Sequence, residues 1–467
     1  MNAVPVVLAL AVVAIVLAVT YRPVLATGLF ALLAPIGLMT VLGNLPLGSV
    51  PGNMPLITAT AILLILLAVA QRLLAGRGAF PVDLATVSAV VWSIGVVASV
   101  VRSDDWGRSI VFGTWQIVAV LLPLAWRQLV GLAGRIEAVL RFWLVGAAAV
   151  AASGLVLAST GFDEAFGGAV VTGRPVGVFS QPNEYGNYCM VVGMVAVTVA
   201  VLARGWTRLL AIVTATSALA GMVLSLSRGA WLGELAGLLL LAVLVPQARR
   251  PLAWASLTAV MLVGLVVAVS PGSALVTVVV QRAASIADPA SNPYDRRPVL
   301  VAEGLREWQS SPALGIGPNM FQPTSTTIGS AAFPDGGEHP HNFVVAVLAE
   351  QGVVGLAALV GFFVVAIRAV GLARLRLLGP RHGRAPPVAP FAATVVLAAA
   401  VGLGAFAVEG LFDYPLRNAL SRTSVWLVFG WLLAGQRALQ EDLSSRIGDT
   451  SPQPTSVLGN ISSEPTA

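Results

Sequence analysis

Long apolar runs recur along the whole chain and are separated by short polar connectors. Crossing roughly 30 Å of hydrocarbon takes about 20 helical residues, and most of the runs have about this length. The runs lack the two-residue alternation of a membrane β-strand, so they predict helices and not a barrel. We therefore expect an all-α, polytopic transmembrane helical bundle of about 12–13 spans. The predicted spans are 3–20, 24–42, 54–70, 84–101, 109–126, 139–158, 184–203, 207–225, 230–246, 252–270, 343–370, 389–409 and 422–435.

The composition agrees with a membrane-embedded chain. Hydrophobic residues make up 57% of the 467 residues and charged residues only 10%, whereas soluble domains carry about 25% charged residues. These values exclude an ordinary soluble globular domain. Cys189 is the only cysteine, so neither an intrachain disulfide nor a cysteine-based metal site can form. Residues 1–5 lack the basic segment of a cleavable signal peptide, and we expect none.

The arginines are distributed unevenly between two alternating classes of connector. One class is rich in arginine and, by the positive-inside rule, is expected to face the cytoplasm. Its arginines are Arg22, Arg72, Arg77, Arg127, Arg135, Arg204, Arg208, Arg249, Arg250 and those from Arg368 to Arg384. The other class is expected to face outward, and its segments are 43–53, 102–108, 159–183, 227–228, 271–341 and 410–421. This topology explains the net charge of +6 without a nucleic-acid partner.

The connectors divide the chain into five segments. Residues 1–158 are N-terminal transmembrane helices, and 159–270 are transmembrane helices with outward arginine motifs. Residues 271–341 form one large extracytoplasmic loop carrying short amphipathic helices, and 342–443 are C-terminal transmembrane helices. The polar tail 444–467 is rich in Ser, Pro and Thr, so we expect it to be disordered and cytoplasmic.

The large outward loop contains one clear helical signal. Pro298 fits a first helical position, and Val301, Leu305 and Trp308 follow it at helical spacing. We expect a short amphipathic helix that could lie on the membrane surface.

A group of polar residues stands directly before the apolar run in EHPHNFVVAVLAEQGVVG: Glu338, His339, His341 and Asn342. Ionisable groups at membrane depth usually serve a function, and we take His341 as the centre of the chemistry. A neutral imidazole can accept a proton from a hydroxyl near pH 7, and nearby arginines would disfavour imidazolium. The alternatives are a simple helix-entry residue, or a metal site formed by Glu338, His339 and His341. The metal pattern is loose, and no further ligand cluster accompanies it.

Three outward segments present arginines: Arg174 in VTGRPVGVFSQPNEYGN, Arg228 in LSLSRGAWLG, and the pair Arg296 and Arg297 in YDRRPVL. Arginine between apolar spans is costly unless it meets an anion or a water-filled cavity, and its planar fork suits phosphate. Each one alone could be a headgroup-level or loop cation. Together, on the face that carries His341, they predict a pyrophosphate site.

Other polar residues are candidates for supporting roles. Gln181 and Asn183 lie at the start of a span, where they could cap the helix or contact sugar hydroxyls. Asn342 adjoins His341, and Glu350 lies inside the following span but off the face of His341. Asp413, in GLFDY, is a further outward candidate.

The order of these motifs resembles the O-antigen ligase and polymerase superfamily of polytopic membrane glycosyltransferases. The resemblance covers about residues 165–415 and rests on GRPVGVFSQPNEYG, LSLSRGAWLG, SPALGIGPNMF and HPHNFVVAVLAEQGVVGL. It implies transfer of a glycan from a polyprenyl (undecaprenyl) diphosphate carrier to a lipid or glycan acceptor, without metal or other cofactor. It also implies a multi-pass protein of the bacterial plasma membrane whose site faces the exterior or periplasm.

The resemblance also assigns roles by position. Arg174 and Arg228 correspond to arginines that hold the diphosphate, and His341 corresponds to the histidine beside the acceptor hydroxyl. Arg297, or Arg296, corresponds to the arginine ahead of the Gly-x-Gly loop. We expect an inverting ligase. The alternatives are a repeat-unit polymerase of the same superfamily, a transporter of an anionic lipid-linked or small substrate, and a non-catalytic scaffold. The sequence shows no clear internal repeat of the kind common in transporters.

Overall fold

Helices dominate the part of the chain that the computed structural model describes. The described residues are 22–36, 44–45, 54–74, 76, 81–133, 135–160, 174–179, 181–269, 274–287, 296–324, 339–378 and 388–450. The helices are α1 (Pro23–Ile36), α2 (Leu56–Leu74), α3 (Leu84–Arg102), α4 (Trp106–Ala133), α5 (Ile136–Thr160), α6 (Pro182–Leu202), α7 (Gly205–Leu224), α8 (Arg228–Leu244), α9 (Arg249–Val269), α10 (Ala274–Ala287), α11 (Arg297–Ser310), α12 (Phe321–Thr324), α13 (Phe343–Leu378), α14 (Val388–Glu409) and α15 (Ala419–Thr450). Two-residue strands, β1 (Asn44–Leu45) and β2 (Met54–Pro55), pair in antiparallel fashion.

Seven of the described helices are long and apolar enough to cross a membrane, or eight if α8 and the bent segment that follows it form one broken span. The seven are Leu84–Arg102, Trp106–Gly131, Ile136–Val156, Pro182–Leu202, Gly205–Leu224, Phe343–Leu377 and Phe391–Glu409. The predicted span 3–20 lies outside the described residues, and every other predicted span falls wholly or partly on a helix. The predicted polytopic helical bundle is therefore confirmed.

The centre of the bundle is formed by α6 and α14. Their apolar windows are 78% and 72% buried, compared with 33% for α7 and α13. A second buried region joins α4, α5 and α15, where Trp126 and Trp143 both contact the ring of Trp431 at centroid distances of 5.3 and 6.4 Å. The peripheral helices expose leucine and valine instead, as expected for surfaces that face lipid.

A glycine on α8 allows this helix to approach α14 closely. A Cβ at Gly233 would lie 2.9 Å from the carbonyl oxygen of Ala405 and would overlap the sulfur of Met190. Small residues at such positions are what allow membrane helices to pack backbone to backbone. The contact places the start of α8, which carries Arg228, beside Glu409 at the end of α14: a Cβ on Gly229 would lie 3.4 Å from Glu409 Cγ.

The predicted span 343–370 is broken, which the sequence did not indicate. Gly352 has φ 63° and ψ −160°, values that side-chain-bearing residues rarely adopt, and a Cβ there would overlap the carbonyl of Ala313. The loop before α12 forms hydrogen bonds with the backbone of α13 on both sides of the break. Val353 N–H donates to Pro312 O at 2.9 Å, and Ile316 N–H donates to Ala349 O at 2.9 Å. The loop thus supplies the hydrogen bonds that the helix loses.

The helix expected in the outward loop is present as α11. The face it buries differs from the predicted one: Leu300, Glu303 and Gly304 are buried, whereas Leu305 is exposed. Leu300 packs with Phe321 and Ala349 in a small apolar cluster, which docks α11 on the first part of α13. Of the predicted apolar face, Val301 and Trp308 are therefore half-buried and only Leu305 is exposed.

The C-terminal helix is longer than expected. The predicted disordered tail begins at residue 444, but α15 continues to Thr450. Extending an existing helix adds one hydrogen bond for each residue ordered, and Arg437 pairs with Glu441 one turn later at 2.7 Å. The rest of the predicted tail, 451–467, lies outside the described residues.

Candidate active site

The described parts of several predicted outward segments meet at one end of the bundle. Arg174 Nε donates to Ser225 O at 2.7 Å, which joins the segment before α6 to the turn between α7 and α8. Phe343 N–H donates to Gly410 O at 2.7 Å, which joins the start of α13 to the end of α14. The structure therefore brings Arg174, Arg228 and His341 to the same end.

His341 occupies a constrained position at the entrance to α13. Its backbone has φ 48°, an uncommon conformation for a residue with a side chain. Asn342 holds this turn: its Oδ1 accepts from Val345 N–H at 3.0 Å, and its Nδ2 donates to Leu411 O at 3.1 Å. Asn342 is therefore a helix cap that also ties His341 to the turn after α14.

Asp413 connects the polar groups of the site. Its Oδ1 lies 3.0 Å from Nδ1 of His341 and 3.4 Å from Nε2 of His339, and its Oδ2 accepts from Asn183 Nδ2 at 3.3 Å. Burial alone would raise the pKa of this carboxyl, but the hydrogen bonds from His339 and His341 hold the pKa well below its usual range. Asp413 is consequently a carboxylate, and it orients the imidazole of His341 through Nδ1.

His339 differs from His341 in its protonation chemistry. It is largely buried, with its ring centroid 4.2 Å from that of His341. Burial lowers the pKa of His339 to about 4, and the neighbouring His341 adds to the effect. His339 is therefore neutral at pH 7 and supports the site as a hydrogen-bonding group.

The histidine pair and Asp413 also have the spacing of a metal site. One ligand atom from each side chain lies within 4.8 Å of the others, and two imidazoles with a carboxylate are a donor set that zinc accepts. This trio replaces the one considered from the sequence, because Glu338 lies outside the described residues.

Arg174 is linked to His341 through two intervening side chains. Its Nη2 donates to Asn183 Oδ1 at 2.9 Å, and Asn183 in turn donates to Asp413. Burial, followed by the nearby charge of Arg282, lowers the pKa of Arg174 to about 10. The guanidinium remains charged at pH 7, and Asn183 is a bridging residue of the site.

The turn that carries Arg228 is strained and holds a second arginine. Leu226 has φ 53°, and its carbonyl accepts from Arg282 Nε at 3.0 Å. Arg228 Nη1 donates to Ser285 O at 3.1 Å. An arginine of α10 therefore donates to a backbone carbonyl of the turn, and an arginine of the turn donates to a backbone carbonyl of α10. Arg282 was not predicted as a site residue, because it lies in an apolar helix within the segment 271–341 that was predicted to be a loop.

The structure distinguishes the adjacent Arg296 and Arg297. Arg296 is the exposed residue before α11, whereas Arg297 is half-buried. The charge of Arg297 acts on Glu409, whose Oε2 accepts from Asn187 Nδ2 at 2.8 Å. Arg297 therefore faces the bundle, and Arg296 faces away from it.

The comparison with protein families gives a match over part of the chain. The family model described as O-Antigen ligase matches residues 212–360, about a third of the chain. The chain carries an O-antigen ligase family domain. The resemblance seen in the sequence is thereby confirmed, and the match supports a membrane glycosyltransferase of the ligase or polymerase type. No curated protein is significantly similar to the chain.

The O-antigen ligase domain contains only part of the site. Arg228, Arg282, Arg297 and His341 lie inside the matched residues. Arg174, Asn183 and Asp413 lie outside them but are hydrogen-bonded into the same cluster. The site is therefore built from the O-antigen ligase domain together with the helices that flank it.

Two other sequence candidates do not join this cluster. Gln181 is an exposed residue before α6 and makes no side-chain capping hydrogen bond. Glu350 is buried in the O-antigen ligase domain, where its carboxylate accepts the backbone N–H groups of Asn319 and Phe321. Glu350 therefore holds the loop before α12 against α13, at the break in that helix.

Proposed function

We propose that the chain is an inverting membrane glycosyltransferase of the O-antigen ligase type. It transfers a glycan from a polyprenyl diphosphate carrier to an acceptor hydroxyl, without a metal ion, at the outer face of the bacterial plasma membrane. The observation that carries the proposal is the hydrogen-bonded chain Arg174–Asn183–Asp413–His341. It links a charged group suited to phosphate with a group suited to deprotonating a hydroxyl.

The donor diphosphate is assigned to the arginines. Arg174 and Arg282 are near enough for one to lower the pKa of the other, and Arg282 and Arg228 are joined through the Leu226 turn and α10. Like charges held this close favour an anion between them. The planar forks would bind the diphosphate and stabilise the negative charge that develops as it leaves. Arg297 would contribute from the edge of the cluster.

The acceptor hydroxyl is assigned to His341. With Nδ1–H donating to Asp413, Nε2 carries the basic lone pair. As the acceptor oxygen bonds to the anomeric carbon, its proton passes to Nε2 and the carbon–oxygen bond to the diphosphate breaks. The electron pair leaves on the polyprenyl diphosphate. The carboxylate of Asp413 stabilises the imidazolium that forms, which later releases its proton to water. One displacement inverts the anomeric centre.

A repeat-unit polymerase would use the same site with a lipid-linked glycan as acceptor. The chemistry at His341 is the same for both, so the acceptor that supports turnover separates ligase from polymerase.

The test is glycan transfer by the purified chain in proteoliposomes. A polyprenyl diphosphate glycan and candidate lipid or glycan acceptors are supplied with and without a strong chelator of divalent cations. We expect chelator-resistant product, and a loss of about 10²–10⁴-fold in the His341→Ala variant, the usual contribution of a general base. His382→Ala, a histidine outside the described residues, is the matched control and should retain activity.

The outcomes separate the parts of the proposal. Normal turnover by His341→Ala would contradict its assignment as the base. Loss of product on chelation, restored by a divalent cation, would contradict the metal-free mechanism and assign a metal to His339, His341 and Asp413. Movement of the intact donor across the membrane without product would favour the transporter.

A further inference from the structure

A second polar region lies at the opposite end of the bundle from His341. It is a cavity of about 980 Å³ between α3, α4, α13 and α15. α3 connects the two regions: Ser99 near its end donates to Glu350 O, in the first part of α13, at 2.5 Å, and Asp83, which caps its start, lines the cavity. The 19 residues of α3 span about 28 Å at 1.5 Å per residue. Because the cavity is lined by Arg72, Arg127, Arg368 and Arg437, we call it the arginine cavity. Its position is separated from the candidate active site by about the thickness of a membrane.

The arginine cavity carries excess positive charge. Four arginines line it against two carboxylates, Asp83 and Glu441. Gln128 Oε1 accepts from both Arg72 Nη1 at 3.3 Å and Arg437 Nη1 at 3.2 Å, so one neutral amide holds two guanidiniums side by side. Close like charges of this kind are stabilised by a bound anion.

Arg127 provides an independent indication of a ligand. It is 8% exposed, and its Nη1 forms an ion pair with Asp83. Its Nη2 is buried and has no hydrogen-bond partner among the described residues. A buried donor without a partner is costly, and an anion bound in the cavity that Arg127 lines would offset this cost by its charge.

The remaining lining indicates the class of ligand. Leucines from each of the four helices, namely Leu84, Leu124, Leu372 and Leu433, line the same cavity. An anionic headgroup with attached acyl chains matches such a mixed surface better than a fully hydrated anion does. Basic cavities between transmembrane helices near a membrane surface are suited to acidic phospholipids.

We propose that the arginine cavity binds the phosphate headgroup of an acidic phospholipid from the leaflet at that end of the bundle. The phosphate oxygens accept from the guanidiniums of Arg127, Arg368 and Arg437. The acyl chains pass over the leucines into the bilayer. This inference is independent of the proposed glycan transfer, because no residue is shared between the two sites.

The test measures lipid binding directly on the full-length protein. Delipidated protein in neutral detergent is titrated with phosphatidylglycerol or with phosphatidylcholine of the same acyl chains. Retained lipid is counted by native mass spectrometry, and the thermal unfolding midpoint is followed in parallel. We expect phosphatidylglycerol to bind more tightly and to raise the midpoint, since a ligand of the native state stabilises it.

Variants locate the binding. Arg368 is exposed and has no hydrogen-bond partner in the described part of the chain, so Arg368→Gln should fold normally. Arg368→Gln and Arg437→Gln should each weaken phosphatidylglycerol binding about fivefold and the double variant about 25-fold, at about 1 kcal/mol per arginine. The matched control is Arg208→Gln, because Arg208 is an exposed arginine at the same end of the bundle, at the start of α7, and does not line the cavity.

Three results would overturn the proposal. The first is equal binding of phosphatidylglycerol and phosphatidylcholine by the unmodified protein. The second is unchanged phosphatidylglycerol binding in the double variant while it retains the unmodified midpoint in phosphatidylcholine. The third is full protection by sodium phosphate alone, which would assign the cavity to a soluble anion.

Discussion

Replacing Asp413 by asparagine tests the link between the carboxylate and the proposed base. Both oxygens of Asp413 accept hydrogen bonds, Oδ1 from the histidines and from Tyr414 N–H at 2.8 Å, and Oδ2 from Asn183. An asparagine has only one acceptor oxygen, so its amide NH₂ would replace one of the two carboxylate oxygens and would face one of these donors. The variant keeps the size of the side chain and removes the charge that stabilises imidazolium.

The expected loss can be estimated from the 3.0 Å contact between Asp413 Oδ1 and His341 Nδ1. A hydrogen bond to a charged group contributes about 1.5–3 kcal/mol, and each 1.4 kcal/mol corresponds to about tenfold in rate. Asp413→Asn should therefore lower the turnover rate by about 10–150-fold. The assay is initial-rate glycan transfer at saturating donor, with donor affinity measured separately and expected to change less than the turnover rate.

The control is Asp104→Asn, because Asp104 is an exposed acidic residue at the same end of the bundle, and this variant should retain full activity. An Asp413→Asn variant with unchanged turnover would refute the assignment of Asp413 to His341. A variant that loses donor affinity and keeps its turnover rate would place Asp413 in donor binding instead.

The other predictions concern the arginine pair, the helix break and the buried histidine. Arg297→Gln should weaken donor affinity about 10-fold or more, as loss of a charged hydrogen bond does, whereas Arg296→Gln should not; equal effects would contradict the distinction. Gly352→Ala should lower stability by at least about 1–3 kcal/mol in denaturant titration, whereas Gly371→Ala, with nothing within 4 Å, should be neutral or stabilising. The pKa of His339 is lowered to about 4, so the unfolded chain binds its proton first and stability falls below about pH 6.5, by roughly 2 kcal/mol at pH 5. His339→Asn should flatten this dependence between pH 7 and 5, and an unchanged slope would contradict it.

Much of the fold could be predicted from hydropathy, because the length of a membrane span is set by the bilayer. The alternation of arginine-rich and arginine-poor connectors also placed Arg174, Arg228 and His341 on one face. That prediction requires no distances, and the structure agrees that the three lie at one end. The break at Gly352 was missed because the apolar run continues through it, and only the loop around Ala313 makes the glycine necessary.

The hydrogen-bond network of the candidate site could not be predicted in the same way. Asp413 lies 72 residues from His341 and 230 from Asn183, and no local pattern records such pairings. Asp413 was considered only as an outward residue of uncertain role, and Asn183 only as a cap or sugar contact. Arg282 was not identified as a site residue, because it lies in an apolar helix. Side chains that meet only through tertiary packing carry no sequence signal of their own.

The most direct test is an experimental structure of the protein with a polyprenyl diphosphate analogue bound. We expect the diphosphate to lie between Arg174, Arg228 and Arg282, with the transferred sugar within reach of His341. Density for the diphosphate in the arginine cavity, or at any place remote from His341, would contradict it.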